Sequence, residues 1–373
     1  MRRERIPQTD PHAAYLAQKP EIDAAVARVL AGGAYILGPE VEAFEREFAA
    51  WLGVGWAVGA ASGTDALALG LRVLGIGPGD AVATVSLTAT ATVAAIELAG
   101  ARPVLVDVEA SSFNMDPVAL DRLMASPPAP IRAVIPVHLY GRPARMADIG
   151  DIARRHGAVV LEDAAQAHGA AVDGRKAGGF GELGAFSFYP TKNLGGLGDG
   201  GALVGGDPEL ERRARRLRQY GWAQRFVAEQ PGMNTRLDEL QAAVLRVKLR
   251  RLDEANARRQ AIAAAYCQGL QGRNLVLPGS GRDETPVWHQ YVVRAAARER
   301  IIQTLTERGV GSAIHYPTPV HRQPAYAGRI SLGPGGLPVT DQLSAEILSL
   351  PIYPQMSDAA VARVMEAVAA SVG

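Results

Sequence analysis

Short apolar runs alternate with amphipathic stretches along the first two thirds of the chain. Four apolar runs are typical of buried strands and lie at residues 81–86, 103–108, 133–137 and 158–161. Amphipathic stretches typical of helices with one buried face lie at residues 65–74, 92–99 and 146–156. Strands and helices in alternation predict βαβ units, and hence a largely parallel sheet with helices on both faces.

The pattern changes near residue 207. Residues 208–220 predict an arginine-rich helix, and residues 237 to about 270 form one long helical pattern with few breakers. Farther along, the pattern predicts one strand and three helices, at residues 289–293, 298–308, 339–348 and 358–370. We therefore expect a large α/β domain over residues 1–250 and a smaller α+β domain over residues 251–373.

Composition agrees with this division and narrows the classes of partner. The chain has 373 residues, enough for about two domains of ordinary size. Lys and Arg number 39, Asp and Glu number 38, and the formal net charge is +1. A balanced charge gives no strong long-range attraction to nucleic acid or an anionic membrane. The arginines between Arg212 and Arg218 are therefore interpreted as a solvated helix face.

The sequence favours a cytoplasmic protein without a membrane anchor or a metal site. The N-terminal residues MRRERIPQTDPH have no apolar segment behind their arginines, and no apolar run reaches 18 residues. The one cysteine, Cys267, cannot form an internal disulfide. Its surroundings favour a buried, inert thiol.

Two loops that follow predicted strands carry candidate binding groups, because ligands of open α/β sheets bind beyond the carboxyl ends of the strands. In GAASGTDAL, Gly63 lets the backbone approach an anion, and the first helical N–H groups and the Thr64 hydroxyl suit a phosphate. In the second loop, Asp163 follows the buried run AVVL, where a carboxylate requires a cationic or strongly donating partner. An ordinary helix cap is the alternative interpretation of both loops.

A third loop contains Lys192 between the strand-like run FSFY and five glycines within nine residues. Its neighbours are apolar or very small, so desolvation is expected to lower the pKa of its amine and to favour a Schiff-base nucleophile. A phosphate cup, a carboxylate at a strand end and a loop lysine, in this order, match the needs of pyridoxal 5′-phosphate (PLP). They would bind its phosphate, hold its ring nitrogen protonated and form an imine with its aldehyde.

The chain resembles the DegT/DnrJ/EryC1/StrS sugar-nucleotide aminotransferases, PLP enzymes of the aspartate aminotransferase fold (type I), over about residues 5–370. The resemblance rests on seven motifs in order: SGTDAL, PVHLYGRPA, LEDAAQAHGA, FSFYPTKNLGGLGDGGALV, GMNTRLDELQAAVL, HYPTPVH and LSLPIYP. It implies a large domain with a mostly parallel seven-stranded sheet flanked by helices, and a smaller C-terminal α+β domain. It also implies transfer of an amino group from L-glutamate to a nucleotide-linked keto sugar.

The resemblance assigns roles to individual residues. Lys192 and Asp163 are the implied catalytic residues: Lys192 forms the imine and then moves the proton, and Asp163 pairs with the ring nitrogen. Gln166 is expected at the 3-oxygen of the ring. The implied phosphate ligands are Gly63, Thr64 and Ser187, with Asn234 reaching the cofactor of the neighbouring subunit in a homodimer with shared active sites. The sugar-nucleotide candidates are Tyr189, Tyr316, His321 and Arg236.

The subgroup is indicated by the residues around the lysine. The run FSFYPTKNLG…GDGG resembles family members that install the amine at C3 of a dTDP- or UDP-linked keto sugar, with Tyr189 and Asp199 as the distinguishing residues. We expect a dTDP-3-keto-6-deoxyhexose as substrate, with C4 amination or a UDP-linked 3-keto sugar as alternatives.

In one position the chain departs from the family: Ala89 replaces the aromatic residue that often stacks on the PLP ring. Leu87 or another loop is the expected replacement.

Three other functions are weighed against this one. A PLP-dependent dehydratase of the same fold has His at the position of Lys192. A nicotinamide-dependent oxidoreductase requires a G-x-G-x-x-G turn that GAASGTDAL does not supply. A non-catalytic regulatory protein of the same fold has no need of the set Lys192, Asp163 and Gln166.

Overall fold

The computed structural model describes residues 5–372. Residues 1–4, which belong to the arginine-containing N-terminal segment considered above, and residue 373 lie outside the described residues. The helices are α1 (Pro11–Leu16), α2 (Lys19–Gly32), α3 (Pro39–Leu52), α4 (Gly63–Val73), α5 (Thr90–Leu98), α6 (Pro117–Ala125), α7 (Met146–Arg155), α8 (Pro208–Leu217), α9 (Glu239–Leu249), α10 (Leu252–Leu270), α11 (Arg298–Glu307), α12 (Pro338–Glu346) and α13 (Asp358–Val372), with short 3₁₀ turns at Leu139–Gly141 and Val320–Arg322.

The strands are short, and most of the longer ones are buried. They are β1 (Trp56–Ala60), β2 (Ala81–Val85), β3 (Arg102–Val106), β4 (Ile131–Val134), β5 (Val159–Asp163), β6 (Ala171–Val172), β7 (Arg175–Lys176), β8 (Leu183–Ser187), β9 (Gly201–Gly205), β10 (Trp222–Gln224), β11 (Val227–Ala228), β12 (Glu284–Thr285), β13 (Tyr291–Arg294), β14 (Ser331–Leu332) and β15 (Ile347–Leu350).

The main sheet has the order β1-β9-β8-β5-β4-β2-β3-β14. β9 runs antiparallel to both of its neighbours, β1 and β8, and the other neighbouring pairs are parallel. The expected mostly parallel seven-stranded sheet is therefore confirmed, and the two-residue strand β14 adds an eighth at one edge. One apolar core contains α4 and the inner side chains of six strands, and a second contains α6 and α7 on the opposite face.

Two predicted elements differ from the structure. The long helical pattern beginning at residue 237 is two helices, because the chain turns at Arg250 and Arg251 between α9 and α10. The predicted helix 339–348 ends at Glu346, and Ile347–Leu350 forms β15, which pairs antiparallel with β13. All four residues of β15 are buried. A fully buried apolar run does not distinguish strand from helix in the sequence.

The C-terminal part of the chain has an apolar core of its own, formed by α10, α11, α13, β13 and β15 together with Ile6 from the N-terminal segment. β14 nevertheless joins the main sheet beside β3. The division into domains at residue 250 stays a prediction. Cys267 is half-buried, with its sulfur 3.2 Å from the hydroxyl oxygen of Tyr291.

No group of three or more His, Cys, Asp or Glu side chains within residues 5–372 is arranged to hold a metal ion. No helix in that part of the chain is long and apolar enough to cross a membrane.

Candidate active site

The predicted catalytic and binding groups meet at the carboxyl edge of the main sheet. Asp163 is the last residue of β5 and Ser187 is the last residue of the neighbouring strand β8. Gly63 begins α4, three residues after the end of β1. Lys192 lies in the loop between β8 and β9. The parallel direction of these strands is what brings residues from distant parts of the sequence to one edge.

Asp163 is a buried carboxylate, 5% exposed, that is held by two donors. The Thr92 hydroxyl donates to Oδ2 at 2.8 Å, and the backbone N–H of Ala165 donates to Oδ1 at 3.1 Å. Burial raises the pKa of Asp163, although both hydrogen bonds and the nearby Lys192 amine act in the opposite direction. No Lys or Arg within residues 5–372 forms an ion pair with it, so the carboxylate fits a cationic ligand.

Lys192 sits in a tight turn, in which its backbone N–H donates to the carbonyl of Tyr189 at 2.8 Å. Desolvation lowers the pKa of its amine to about 8, and the charge of Asp163 only partly offsets this. About a tenth of the amine is therefore unprotonated at pH 7, far more than for a lysine of ordinary pKa, which favours a Schiff-base nucleophile. The prediction of a desolvated amine at this position agrees with the structure.

The start of α4 carries the residues that were predicted to bind a phosphate. Ser62 caps the helix by accepting from the N–H of Asp65 at 3.1 Å. Within the described residues the N–H groups of Gly63 and Thr64 have no acceptor, so they are available to an anion at the positive end of the helix. A Cβ on Gly63 would lie 2.6 Å from the Cβ of Ser187, so this position requires glycine.

Gln166 has a fixed orientation. The backbone N–H of Tyr140 donates to its Oε1 at 2.7 Å, which directs its amide nitrogen to the hydroxyl of Tyr316 at 3.2 Å. Burial raises the pKa of Tyr316 to about 12, and the charge of Asp163 adds to this rise. Tyr316, predicted as a sugar contact, is therefore a neutral phenol beside the predicted cofactor residues.

Three histidines that sequence reasoning missed lie around Lys192, of which His168 and His289 are buried and His315 is half-buried. Burial and the charge of the Lys192 amine lower the pKa of His168 to about 3 and that of His315 to about 4, and lower the pKa of His289 as well. All three are therefore neutral at physiological pH. Their chain positions lie far apart, and only the motif LEDAAQAHGA places His168 near Asp163 in the sequence.

The remaining predicted residues are less closely tied to Lys192. Tyr189 is 52% exposed, and Asn234 is exposed on a segment that pairs with Gln219. Arg236 is half-buried. The ring of His321 is bound instead between Ser86, at 2.8 Å, and Asp341, at 3.1 Å.

Leu87, one of the two covers expected over the PLP ring, does not lie at the ring site. Leu87 is fully buried in the apolar core beneath the sheet edge, so it is not available to replace the missing aromatic side chain. Ala89 lies at the start of α5, where it caps the helix without a side-chain hydrogen bond.

The described groups together fit PLP. Two free N–H groups at a helix start suit its phosphate, the buried Asp163 carboxylate suits a protonated ring nitrogen, and the desolvated Lys192 amine suits its aldehyde. The bound cofactor would supply an electron sink for the bonds at the substrate carbon.

Comparisons with known proteins agree with this geometry. The family described as the DegT/DnrJ/EryC1/StrS aminotransferase family matches residues 17–369. A dTDP-3-amino-3,4,6-trideoxy-alpha-D-glucose transaminase of Streptomyces venezuelae is 48% identical over 365 residues, covering 98% of this chain and 95% of the relative. A UDP-N-acetyl-3-dehydro-alpha-D-glucosamine 3-aminotransferase of Acidithiobacillus ferrooxidans is 40% identical, covering 96% of each chain. The solved structure of S. venezuelae DesV with a ketimine intermediate superposes with a TM-score of 0.94 at 48% identity, covering 98% of each chain.

Proposed function

Because the chain belongs to the DegT/DnrJ/EryC1/StrS aminotransferase family, we propose that it transfers an amino group from L-glutamate to C3 of a dTDP-linked 3-keto-6-deoxyhexose. It is a PLP-dependent aminotransferase. The observation that supports the proposal most strongly is the desolvated Lys192 amine beside the buried Asp163 carboxylate at the carboxyl edge of the sheet.

Each residue has a proposed task. Lys192 binds the aldehyde and, once released, moves the proton at the substrate carbon with its Nζ. Asp163 keeps the ring nitrogen protonated, and Thr92 holds Asp163 in place. Gln166 donates to the 3-oxygen of the ring through the amide that Tyr140 orients.

The phosphate is bound by the first turn of α4. Its proposed ligands are Gly63, Thr64 and the hydroxyl of Ser187, and Asn234 of the neighbouring subunit completes them. Tyr189, Tyr316, His321 and Arg236 are the proposed sugar-nucleotide contacts. Among these, Tyr316 has the most direct support, because its hydroxyl already lies at the Gln166 amide.

Amination at C3 is supported by the relatives and by the residues around Lys192. The names of the S. venezuelae and A. ferrooxidans relatives both place the amine at position 3, on a dTDP- and a UDP-linked sugar respectively. The identity of 48% to the dTDP-sugar enzyme favours that nucleotide over the UDP-linked alternative. Tyr189 and Asp199 agree with the same subgroup.

A homodimer with shared sites is supported by an exposed apolar arm. The hairpin of β10 and β11 at residues 222–228 carries Phe226, which is 74% exposed, and Val227, which is 55% exposed. Asn234 lies just beyond this arm. Exposed aromatic and aliphatic side chains on one arm are typical of a surface that a second subunit covers. A cytoplasmic location stays a prediction.

The test is a substrate panel. Purified protein, PLP and L-glutamate would be offered 3-keto and 4-keto sugars linked to dTDP and to UDP, and aminated products would be followed by mass. We expect the dTDP-linked 3-keto-6-deoxyhexose to give product at the highest kcat/KM. Preferred turnover of a 4-keto sugar would contradict C3 amination. A cofactor absorbance that glutamate leaves unchanged would contradict glutamate as the donor.

A further inference from the structure

Tyr140 lies in the 3₁₀ turn after β4, in a backbone conformation that bulky residues rarely adopt. Its φ is 61°, in the left-handed region that favours glycine. The side chain is 5% exposed, and its ring lies edge-on to that of Phe113, with the centroids 5.3 Å apart. Residues in such a conformation persist only where the surrounding structure holds them, and they cluster at functional sites. The contacts that hold Tyr140 are therefore a guide to its role.

Both ends of Tyr140 donate hydrogen bonds to groups beside the candidate cofactor site. Its backbone N–H donates to Oε1 of Gln166 at 2.7 Å, and its phenol hydroxyl donates to the backbone carbonyl of His315. Its own carbonyl accepts from the N–H of Gln290 at 3.2 Å. Burial raises the pKa of Tyr140, and the nearby Tyr316 adds to this rise, so the phenol keeps its proton and acts as a donor.

These contacts form a closed ring of hydrogen bonds. Nε2 of Gln166 donates to the hydroxyl of Tyr316 at 3.2 Å, and His315 directly precedes Tyr316 in the chain. The ring therefore runs from the N–H of Tyr140 through Gln166, Tyr316 and His315, and returns through the Tyr140 hydroxyl. His315 has one further contact, because its Nδ1 lies 2.8 Å from Oγ of Ser349. A displacement of the Tyr140 side chain would consequently change the position of Tyr316.

The ring also fixes which groups donate. Because a backbone N–H can only donate, the Gln166 amide turns its oxygen to Tyr140 and its nitrogen to Tyr316. The Tyr316 hydroxyl therefore accepts from Gln166, and among residues 5–372 no group accepts the proton of this hydroxyl. The charge of Asp163 contributes to the raised pKa of Tyr316, which shows that the two side chains lie near each other. The unused proton of Tyr316 is thus available to a ligand at the carboxyl edge of the sheet.

We propose that Tyr140 is a positioning residue, whose hydroxyl holds Tyr316 in place as a hydrogen-bond donor to the bound sugar nucleotide. This role rests on the proposed function, in which Tyr316 contacts the sugar. Phe at position 140 would keep the aromatic ring and the backbone N–H that orients Gln166, but it would lose the hydroxyl that binds the His315 carbonyl. Tyr140→Phe should therefore loosen Tyr316 and leave Gln166 in place.

The first measurement is hydrogen exchange of the PLP-loaded protein, followed by mass spectrometry of its peptides. In Tyr140→Phe we expect the amides of residues 314–318 to exchange at least ~10-fold faster than in the wild type, because the carbonyl of His315 has lost its donor. Tyr266→Phe is the matched control. Tyr266 is also a buried tyrosine whose hydroxyl donates to a backbone carbonyl, that of Pro351 at 2.8 Å, but it lies in the C-terminal core. Its variant should exchange at residues 314–318 like the wild type.

The second measurement is a double-variant cycle in the reaction with the sugar nucleotide. Tyr316→Phe removes the proposed donor and should lower kcat/KM for the sugar nucleotide ~30-fold. Tyr140→Phe should lower it ~10-fold. The double variant should be no slower than Tyr316→Phe, because Tyr140 acts through a hydroxyl that is already absent. The dissociation constant of PLP should stay within about threefold of the wild type in Tyr140→Phe, because the N–H of residue 140 still orients Gln166.

The possible results separate this role from the proposed function. Exchange at residues 314–318 that is the same in Tyr140→Phe and the wild type would overturn the positioning role, whatever the substrate. Losses in kcat/KM that multiply in the double variant would also overturn it and leave the proposed function intact. Faster exchange in Tyr140→Phe, in a protein that aminates no sugar nucleotide, would support the hold of Tyr140 on this segment and overturn the sugar nucleotide as the ligand of Tyr316.

Discussion

Asp163 is buried and accepts only neutral donors, so its charge is available to a ligand. We expect Asp163→Asn to bind PLP, because the phosphate cup is unchanged, but to react with glutamate ~100-fold or more slowly, because an amide cannot hold the ring nitrogen protonated. Stopped-flow absorbance would measure the rate. Thr92→Val, which removes one hydrogen bond to the carboxylate, should cost only about tenfold. An Asp163→Asn rate within tenfold of the wild type would contradict the assigned role.

His168 makes the folded protein sensitive to acid. Its ring is fully buried between Phe186 and Phe188. Because its pKa is about 3 in the folded state and near 6.5 in the unfolded chain, the unfolded state binds more protons between these values. Stability is therefore lost as the pH falls below about 6.5, and His168 accounts for ~2 kcal/mol of this loss at pH 5.

His168→Leu tests this by removing the titrating group while filling a similar volume. We expect the decrease in unfolding free energy between pH 7 and pH 5 to be smaller than in the wild type by ~2 kcal/mol, as measured by urea unfolding at both pH values. The same change at the exposed His156 should leave the decrease as in the wild type. An equal decrease in His168→Leu and the wild type would show that His168 does not titrate as described.

The residues that the sequence identifies are those with a local pattern. Lys192 stands among glycines, Asp163 follows an apolar run, and Gly63 begins a helix, so each can be recognised from its neighbours. Thr92, His289 and His315 act through partners that lie far away in the chain. Their burial depends on tertiary packing, which no local pattern reports.

At the scale of elements, a buried polar network links the lysine loop to α10 and to the segment before β13. The amide nitrogen of Asn193 donates to Oδ1 of Asn256 at 2.9 Å and to the carbonyl of Val287 at 3.0 Å. Its Oδ1 lies 3.2 Å from Nδ1 of His289. Asn256 in turn donates to the carbonyl of His168 at 2.8 Å. The residue after Lys192 is therefore held by α10 and by the segment before β13 at once.

We expect Asn193→Ala and Asn256→Ala each to lower the unfolding free energy by ~2 kcal/mol, because each leaves buried polar groups without partners. The double variant should lose ~1 kcal/mol less than the sum of the single variants, because both substitutions break the same network. Urea unfolding of the four proteins measures the coupling. Strictly additive losses would mean that the two side chains act independently.

Two boundaries differ from the predicted ones because of pairing between β13 and β15. β13 begins at Tyr291 and not at 289, since its partner strand ends opposite Tyr291 at Leu350 and Pro351 follows. β15 forms because Ile347–Leu350 pairs with β13, an interaction that the local helical pattern cannot show. Alternation of strands and helices in the first two thirds did predict a largely parallel sheet, since each βαβ unit is a local pattern.

At the scale of the whole molecule, the proposed role of Asn234 means that each active site in a dimer is built from residues of both chains. If Asn234 completes the neighbour's site, a Lys192→Ala chain still supplies an intact Asn234 to its partner's site. An Asn234→Asp chain still has an intact Lys192 in its own site. Asp at position 234 should weaken cofactor binding strongly, because a second negative charge would face the phosphate. A dimer of one chain of each kind then contains one intact site and one doubly impaired site.

Each variant alone is expected to be inactive at limiting PLP. When the two are coexpressed with different tags and the mixed dimer is purified through both tags, we expect about half of the wild-type activity per dimer. Dimers in which both chains carry Asn234→Asp, purified through the same two tags, are the control and should stay inactive. An inactive mixed dimer with both tags present would show that Asn234 serves its own chain, since every site would then carry one of the two substitutions.

Because the exposed hairpin at residues 222–228 lies on the same stretch of chain, Phe226→Ser in both chains should reduce the amount of dimer that survives the double purification.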